Sequence, residues 1–198
     1  RAVQRRWPEA VAGAGRVQAW VIGPGLGADV GGGRMLGKAL SDGVPIVVDA
    51  DGLRFLPPRL DVPAVLTPHT GELARMLDTS REEVEARRLH HATKAASRWN
   101  AVVLLKGSTT LVVTPDGRVR ANPTGTPALA TAGSGDVLAG ITGALLGAGL
   151  TPLDAASVAA YVHGVAGQLA TRSTPYPSAT TVLDVLPDAL HQLADRPG

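Results

Sequence analysis

Four short apolar runs constrain the fold of this chain most: QAWVI (18–22), PIVV (45–48), AVLT (64–67) and AVVLL (101–105). Each has strand length and reads as a strand buried in the protein interior. Helix-periodic segments stand between them, over 30–41 and 81–99. Short buried strands alternating with helices require a mainly parallel sheet covered on both faces. The expected fold is therefore α/β, a three-layer α/β/α sandwich.

Local signals fill in the rest. Ser80 and Glu83 fit a capping box that opens one helix over 81–99. Leu89, Ala92, Ala96 and Trp99 supply its apolar face, and His90 and His91 fall on the exposed side. TTLVVT (109–114) and RVRAN (118–122) flank Pro115-Asp116-Gly117, a hairpin signal. After Asp136, one apolar helical face runs through Val137, Ile141, Ala144, Leu145 and Ala148. Gly140, Gly143 and Gly147 cost helix propensity there, which points to another backbone packed closely against that helix. Residues 152–170 are apolar almost all round and read as a buried helix. A last helix covers about 180–193.

Composition supports one domain. The 198 residues are 44% hydrophobic but only 3% aromatic, so Val, Leu, Ala and Gly must fill the core. Charged residues at 18% argue against disorder. The net charge is +2, with no Lys/Arg stripe interleaved with aromatics, so nucleic acid is not an expected partner. There is no cysteine, which excludes disulfides and thiolate metal sites. No apolar run of membrane-spanning length free of Gly and charge is found, so no membrane partner is expected.

The informative loops all fall at the carboxyl ends of the strands, where parallel sheets bind ligands: 23–27, 49–52, 67–72, 106–110 and 131–136. In Gly133-Ser134-Gly135-Asp136, glycines permit a tight turn at a helix N-terminus, whose N–H groups attract an anion. A carboxylate there can orient a hydroxyl and take its proton during phosphoryl transfer. By themselves, the same four residues fit a simple helix cap slightly better, since such caps are common.

The wider pattern NPTGTPALATAGSGDVLAGITGALL resembles the ribokinase-like superfamily. Within it, the chain is similar to the ADP- or ATP-dependent NAD(P)H-hydrate dehydratases. The likeness rests on five motifs in order: GPGLG (23–27), DAD (49–51), TPHTGE (67–72), KGSTT (106–110) and GSGD (133–136). Thr70 stands where proline is usual in bacterial members; it suits a helix N-cap, so only a small local change is expected.

The resemblance implies a ribokinase-like domain over 1–198, lacking an N-terminal segment that members carry before the GPGLG strand. It also implies the site. Asp136 would be the base on the substrate hydroxyl, and Gly25, Gly27, His69 and Asp136 would contact the hydrated NADH or NADPH. Lys106, Gly107, Ser108, Thr109 and Thr110, with Gly133, Ser134 and Gly135, would hold ADP or ATP. The implied reaction moves phosphate onto the ring hydroxyl, and its departure restores NAD(P)H. Mg²⁺ accompanies the nucleotide, with Asp49 and Asp51 as candidate contacts to it or to a ribose, and no dedicated metal site is implied. Glu72 reads as a first-turn helix acid. A cytoplasmic homo-oligomer is expected. Two other readings fit parts of the pattern: a vitamin-precursor kinase of the same superfamily, and a nucleotide-binding module without turnover.

Overall fold

The computed structural model describes residues 2–11, 13, 15–27 and 30–194. Its strands form one six-stranded sheet in sequence order: β1 (Trp20–Ile22), β2 (Ile46–Val48), β3 (Ala64–Leu66), β4 (Val102–Leu105), β5 (Thr110–Val113) and β6 (Val119–Asn122). Strands β1 to β4 are parallel, whereas β5 and β6 add antiparallel pairings, with Val103 opposite Val113 and Thr110 opposite Asn122. Alternate side chains leave a strand on opposite faces. Ile46, Val48, Leu66, Val103 and Leu105 enter one core; Val47, Val65, Val102 and Leu104 enter the other. Burial on both faces is why the β2, β3 and β4 runs show no polar alternation; β1, at the sheet edge, leaves Val21 exposed, so the expectation that it is buried in the interior does not hold.

After a short α1 (Ala2–Arg6), the first face is covered by α2 (Val30–Ser41), a 3-10 segment over Ala50–Phe55, α3 (Thr70–Leu77), α4 (Arg81–Ala86) and α5 (Arg88–Trp99). The second is covered by α6 (Ser134–Gly147) and α7 (Pro152–Ser173). Finally α8 (Ala179–Asp184) and α9 (Leu186–Ala194) pack on α7 around Val165, Ala166, Ala170, Val182 and Ala189. This is the three-layer α/β/α sandwich expected from the strand pattern.

Several local expectations need correction. The 81–99 helix is two helices, because Arg87 leaves helical geometry at φ −135°, ψ 49°. Ser80 accepts the Glu83 N–H, but the Glu83 carboxylate turns to Arg87 and His91, so the reciprocal half of the capping box is not made. On α5 the buried rows are 91, 95, 99 and 92, 96, which takes His91 inside and leaves Leu89 exposed. On α6 the buried face is Leu138, Ala139, Thr142, Gly143 and Leu146. The sequence offered an apolar residue at almost every position, so periodicity could not choose the face. Val137 turns instead toward the α7–α9 cluster, while Ala144 and Ala148 are exposed. Of the α6 glycines, Gly143 meets a neighbour tightly, and that neighbour is the Val21 side chain rather than a backbone; Gly140 faces open space. The last predicted helix is likewise divided, at Val185, into α8 and α9.

Candidate functional site

The site grows from the carboxyl ends of the parallel strands. At the end of β1, Gly23 takes φ 135°, and a Cβ there would lie 1.7 Å from the Asp49 carbonyl oxygen. Only glycine lets the GPGLG turn lie this close to the backbone leaving β2. Gly25 and Gly27 also take positive φ, and the Gly27 N–H donates to Asp51 Oδ2 at 3.1 Å. Ala50, between the two aspartates, holds φ 47° despite its Cβ. That left-handed geometry costs on the order of 1 kcal/mol.

Asp49 is buried, at 1% exposure, and its carboxylate is 2.9 Å from Lys106 Nζ at the end of β4. Neither group is a solvated strand end: the lysine side chain is 21% exposed and also lies 3.7 Å from Glu72. The Lys106 N–H donates to the Pro68 carbonyl, which carries the strand order into the TPHTGE segment. There the N-cap of α3 is His69, not Thr70. His69 Nδ1 accepts the N–H groups of Gly71 and Glu72, while Glu72 Oε2 accepts the His69 N–H at 2.8 Å, completing a capping box. Thr70 becomes the first helical residue, a position that proline also suits. Partial burial pushes the His69 pKa below its usual value, against the pull of Glu72, and the accepting Nδ1 is consistent with a neutral ring. Glu72 is thus the first-turn acid expected. Among the described residues, no three His, Asp or Glu side chains gather as a metal-binding group.

The first turn of α6 closes the site from the other layer. Gly133 is its N-cap at φ 83°, and Asp136 is exposed at the third helical position. A Cβ on Gly135 would sit 3.4 Å from Lys106 Nζ and 3.8 Å from Asp49 Oδ2, so this turn lies directly over the Asp49–Lys106 pair. Ser134 points the other way. Its hydroxyl lies 3.0 Å from His163 Nε2 in the interior, and its N–H donates to the Thr131 carbonyl. The Ser134 hydroxyl therefore fixes the turn from below and faces away from the Asp49–Lys106 pair. Burial pushes the His163 pKa down to about 4; the bond to Ser134 opposes the shift, and Lys106 adds to it.

In the 106–110 segment, Ser108 and Thr109 are exposed. Thr110 is buried at the start of β5, with its hydroxyl 3.5 Å from the Gly107 carbonyl. The 123–126 loop rests on this segment, since a Cβ on Gly125 would meet the Ser108 carbonyl at 2.5 Å. Two residues at the site lie in none of the motifs read from the sequence: His163, a polar residue within the buried 152–170 helix, and Arg88, on the 81–99 helix. Arg88 reaches the carbonyls of Leu105, Lys106 and Thr109 and the Thr70 hydroxyl.

A cleft of about 310 Å³ between the 3-10 segment and α3 shares Asp51 and Glu72 with this cluster, over an apolar floor that includes Leu53, Met76 and Trp99. A second hollow, about 460 Å³, lies at the opposite end of the sheet against Ala64, Val102 and the start of α7, far from the strand carboxyl ends. Chemically, the cluster combines a helix N-terminus, a cation and an exposed carboxylate, which suits transfer of an anionic group to a hydroxyl.

The sequence profile of the NAD(P)H-hydrate dehydratases matches residues 3–188. The bifunctional NAD(P)H-hydrate repair enzyme Nnr of Moorella thermoacetica is 45% identical over 189 residues, covering 91% of this chain and 36% of that protein. The ADP-dependent (S)-NAD(P)H-hydrate dehydratase of Neisseria meningitidis serogroup B is 36% identical over 183 residues, covering 87% of this chain and 62% of that one. The chain spans about a third of the length of the bifunctional relatives. Among solved structures, the Bacillus subtilis ADP/ATP-dependent NAD(P)H-hydrate dehydratase co-crystallised with ATP/Mg²⁺ superposes with a TM-score of 0.86 at 29% identity, covering 96% of this chain and 74% of that one. The architecture is ribokinase-like, as expected. With its profile matched almost end to end and its strand-end motifs gathered at one edge of the sheet, the chain belongs to the NAD(P)H-hydrate dehydratase family.

Proposed function

We propose that this chain carries out ADP- or ATP-dependent dehydration of the S epimer of hydrated NADH or NADPH, a repair of damaged nicotinamide nucleotides. The observation that carries the reading is the first turn of α6, with exposed Asp136, lying over the Lys106–Asp49 pair. In this reading Asp136 accepts the proton of the ring hydroxyl as its oxygen attacks the terminal phosphorus. The α6 N-terminus, through the backbone at Gly133 and Gly135, and the Lys106 ammonium stabilise the charge that grows on the transferring group. AMP or ADP leaves. The C–O bond of the phosphorylated intermediate then breaks with its electrons on phosphate. Loss of the neighbouring carbon's proton restores the ring double bond.

Lys106 to Thr110 border the nucleotide in this proposal, with Ser108 and Thr109 the hydroxyls open to it. Gly25, Gly27 and His69 border the hydrated dinucleotide. Nδ1 of His69 is committed to the helix cap and Nε2 lies 3.6 Å from Glu72 Oε1, so a ligand would meet the ring beside that carboxylate. Asp49 pairs with Lys106, Asp51 binds Gly27 and Glu72 caps α3. The carboxylates are thus already engaged, and Mg²⁺ fits best as a passenger on the nucleotide phosphates, where it neutralises their charge. A cytoplasmic homo-oligomer completes the proposal. Among the described residues, no helix is long and apolar enough to cross a membrane.

The test is an assay on this chain with hydrated NADH, Mg²⁺ and either ADP or ATP, following NADH absorbance beside phosphate release. Absorbance recovers and phosphate appears in step if the proposal holds, and Asp136→Asn lowers the rate by about 10²–10⁴-fold. A stable phosphorylated product would instead identify a kinase. Nucleotide binding without either signal would identify a binding module.

A further inference from the structure

Arg88 opens α5, outside every motif that marks the site. Its guanidinium is nevertheless placed among three of the site's backbone segments. Nη2 lies 3.4 Å from the Leu105 carbonyl, 3.3 Å from that of Lys106 and 3.2 Å from that of Thr109. Nη1 lies 3.2 Å from the Thr70 hydroxyl and 3.3 Å from Glu85 Oε2. The side chain is 22% exposed, so most of it is withdrawn from water. Leu105 ends β4 and Lys106 follows it, Thr109 precedes β5, and Thr70 follows His69 at the start of α3.

Two further features fit this placement. A Cβ on Gly107 would come within 2.5 Å of Arg88 Nη2, so the glycine of the Lys-Gly pair is the residue that makes room for the guanidinium. Glu85, although exposed, has its pKa lowered first by the Thr70 hydroxyl and then by Arg88, so both groups converge on one carboxylate. Carbonyl oxygens that point inward at a strand end need donors. An arginine supplies several in a fixed planar fork, which a lysine does not.

We propose that Arg88 is a positioning residue for the nucleotide segment. It gathers the carbonyls on the inner side of the 105–109 turn, which leaves the Lys106 side chain directed at Asp49 and the α6 turn and leaves Ser108 and Thr109 facing outward. Thr70 anchors the guanidinium to α3, so the segment that caps with His69 and the segment that carries Lys106 keep a fixed relation. The proposal rests on the reading of 106–110 as the nucleotide side of the site.

Binding of a fluorescent ADP analogue and of ATP with Mg²⁺ to the full chain, beside amide hydrogen exchange over 105–110, tests this. Wild type is titrated first; absence of binding there would overturn both the functional reading and this proposal. Given binding, Arg88→Met is expected to weaken the nucleotide about tenfold or more, the scale of losing a charge-assisted bond and leaving carbonyls unpaired. Exchange should rise in 105–110 while β2 and β3 stay protected. Arg88→Lys should recover part of the loss. Thr70→Val, which keeps the three carbonyl contacts, should change affinity by less than about threefold. If Arg88→Met unfolds, the Lys variant carries the test: wild-type affinity and exchange in it would overturn the proposal. So would an Arg88→Met protein that binds like wild type, or a Thr70→Val loss equal to that of Arg88→Met, which would move the effect to α3 packing.

Discussion

The two helical layers hold the same sheet by different means. In the α2–α5 layer the contacts at the site are polar and directional: His69 and Glu72 cap α3, and Arg88 ties α5 to the end of β4. In the α6–α7 layer, apart from the Ser134–His163 bond, they are steric. Gly143 lies against Val21, Gly164 against Thr124 and Gly167 against Leu129, each with no room for a methyl group. The first layer keeps its geometry through hydrogen bonds that a substitution can partly replace; the second keeps it through an absence of side chain, which nothing larger can imitate. The Asp49–Lys106 pair lies beneath the α6 turn, where the two layers meet.

Removing that junction should have the largest effect. Lys106→Met leaves Asp49 buried without its cation, and a loss of about 3 kcal/mol in urea unfolding is expected, the lower end for such pairs because the lysine is partly exposed. A loss below about 1 kcal/mol would mean that the layers are joined mainly by packing.

Acid probes the small-residue layer through His163. Its folded pKa of about 4 lies below the usual 6.5, so the native state binds fewer protons than the unfolded chain between these values. Its contribution is complete above about pH 6.5 and is lost as pH falls toward 4, by at most about 3 kcal/mol. Urea midpoints measured from pH 7.5 to 4.5 should fall accordingly, with a shallower fall in His163→Gln. Equal slopes in the two proteins would remove His163 from the account.

Single methyl groups give the smallest and sharpest comparison. Gly164→Ala would put its Cβ 1.9 Å from Thr124 Oγ1 and should cost about 1–3 kcal/mol. Gly140→Ala on α6 and Gly37→Ala on α2 meet open space and should each stabilise by about 0.5–1 kcal/mol. Thermal melts of the three variants suffice. A tolerated Gly164→Ala would show that the 123–126 loop can retreat from α7.

Much of this was readable in the residues. The four apolar runs became β1 to β4, and Pro115-Asp116-Gly117 became the hairpin turn between β5 and β6, because strand period and turn chemistry are local properties. Asp136 lies at the start of α6 for the same reason. The helix faces were less readable. His91 looked exposed beside His90, yet it is 5% exposed, with neither ring nitrogen hydrogen-bonded and Nε2 3.5 Å from Glu83. The break at Arg87 sets which rows of α5 meet the sheet, and no propensity marks that break.

The sequence by itself determined the layer order, the strand ends and the family, since period, glycine-rich turns and ordered motifs depend only on near neighbours along the chain. Tertiary structure alone decided which side chains became partners. It turned Asp49 toward Lys106, 57 residues away, Ser134 toward His163 and Arg88 toward the end of β4. The physical reason is common to all three. A buried charge or hydroxyl must find a partner, and which partner lies within hydrogen-bonding reach is fixed by how the layers stack, not by what stands beside it in the chain.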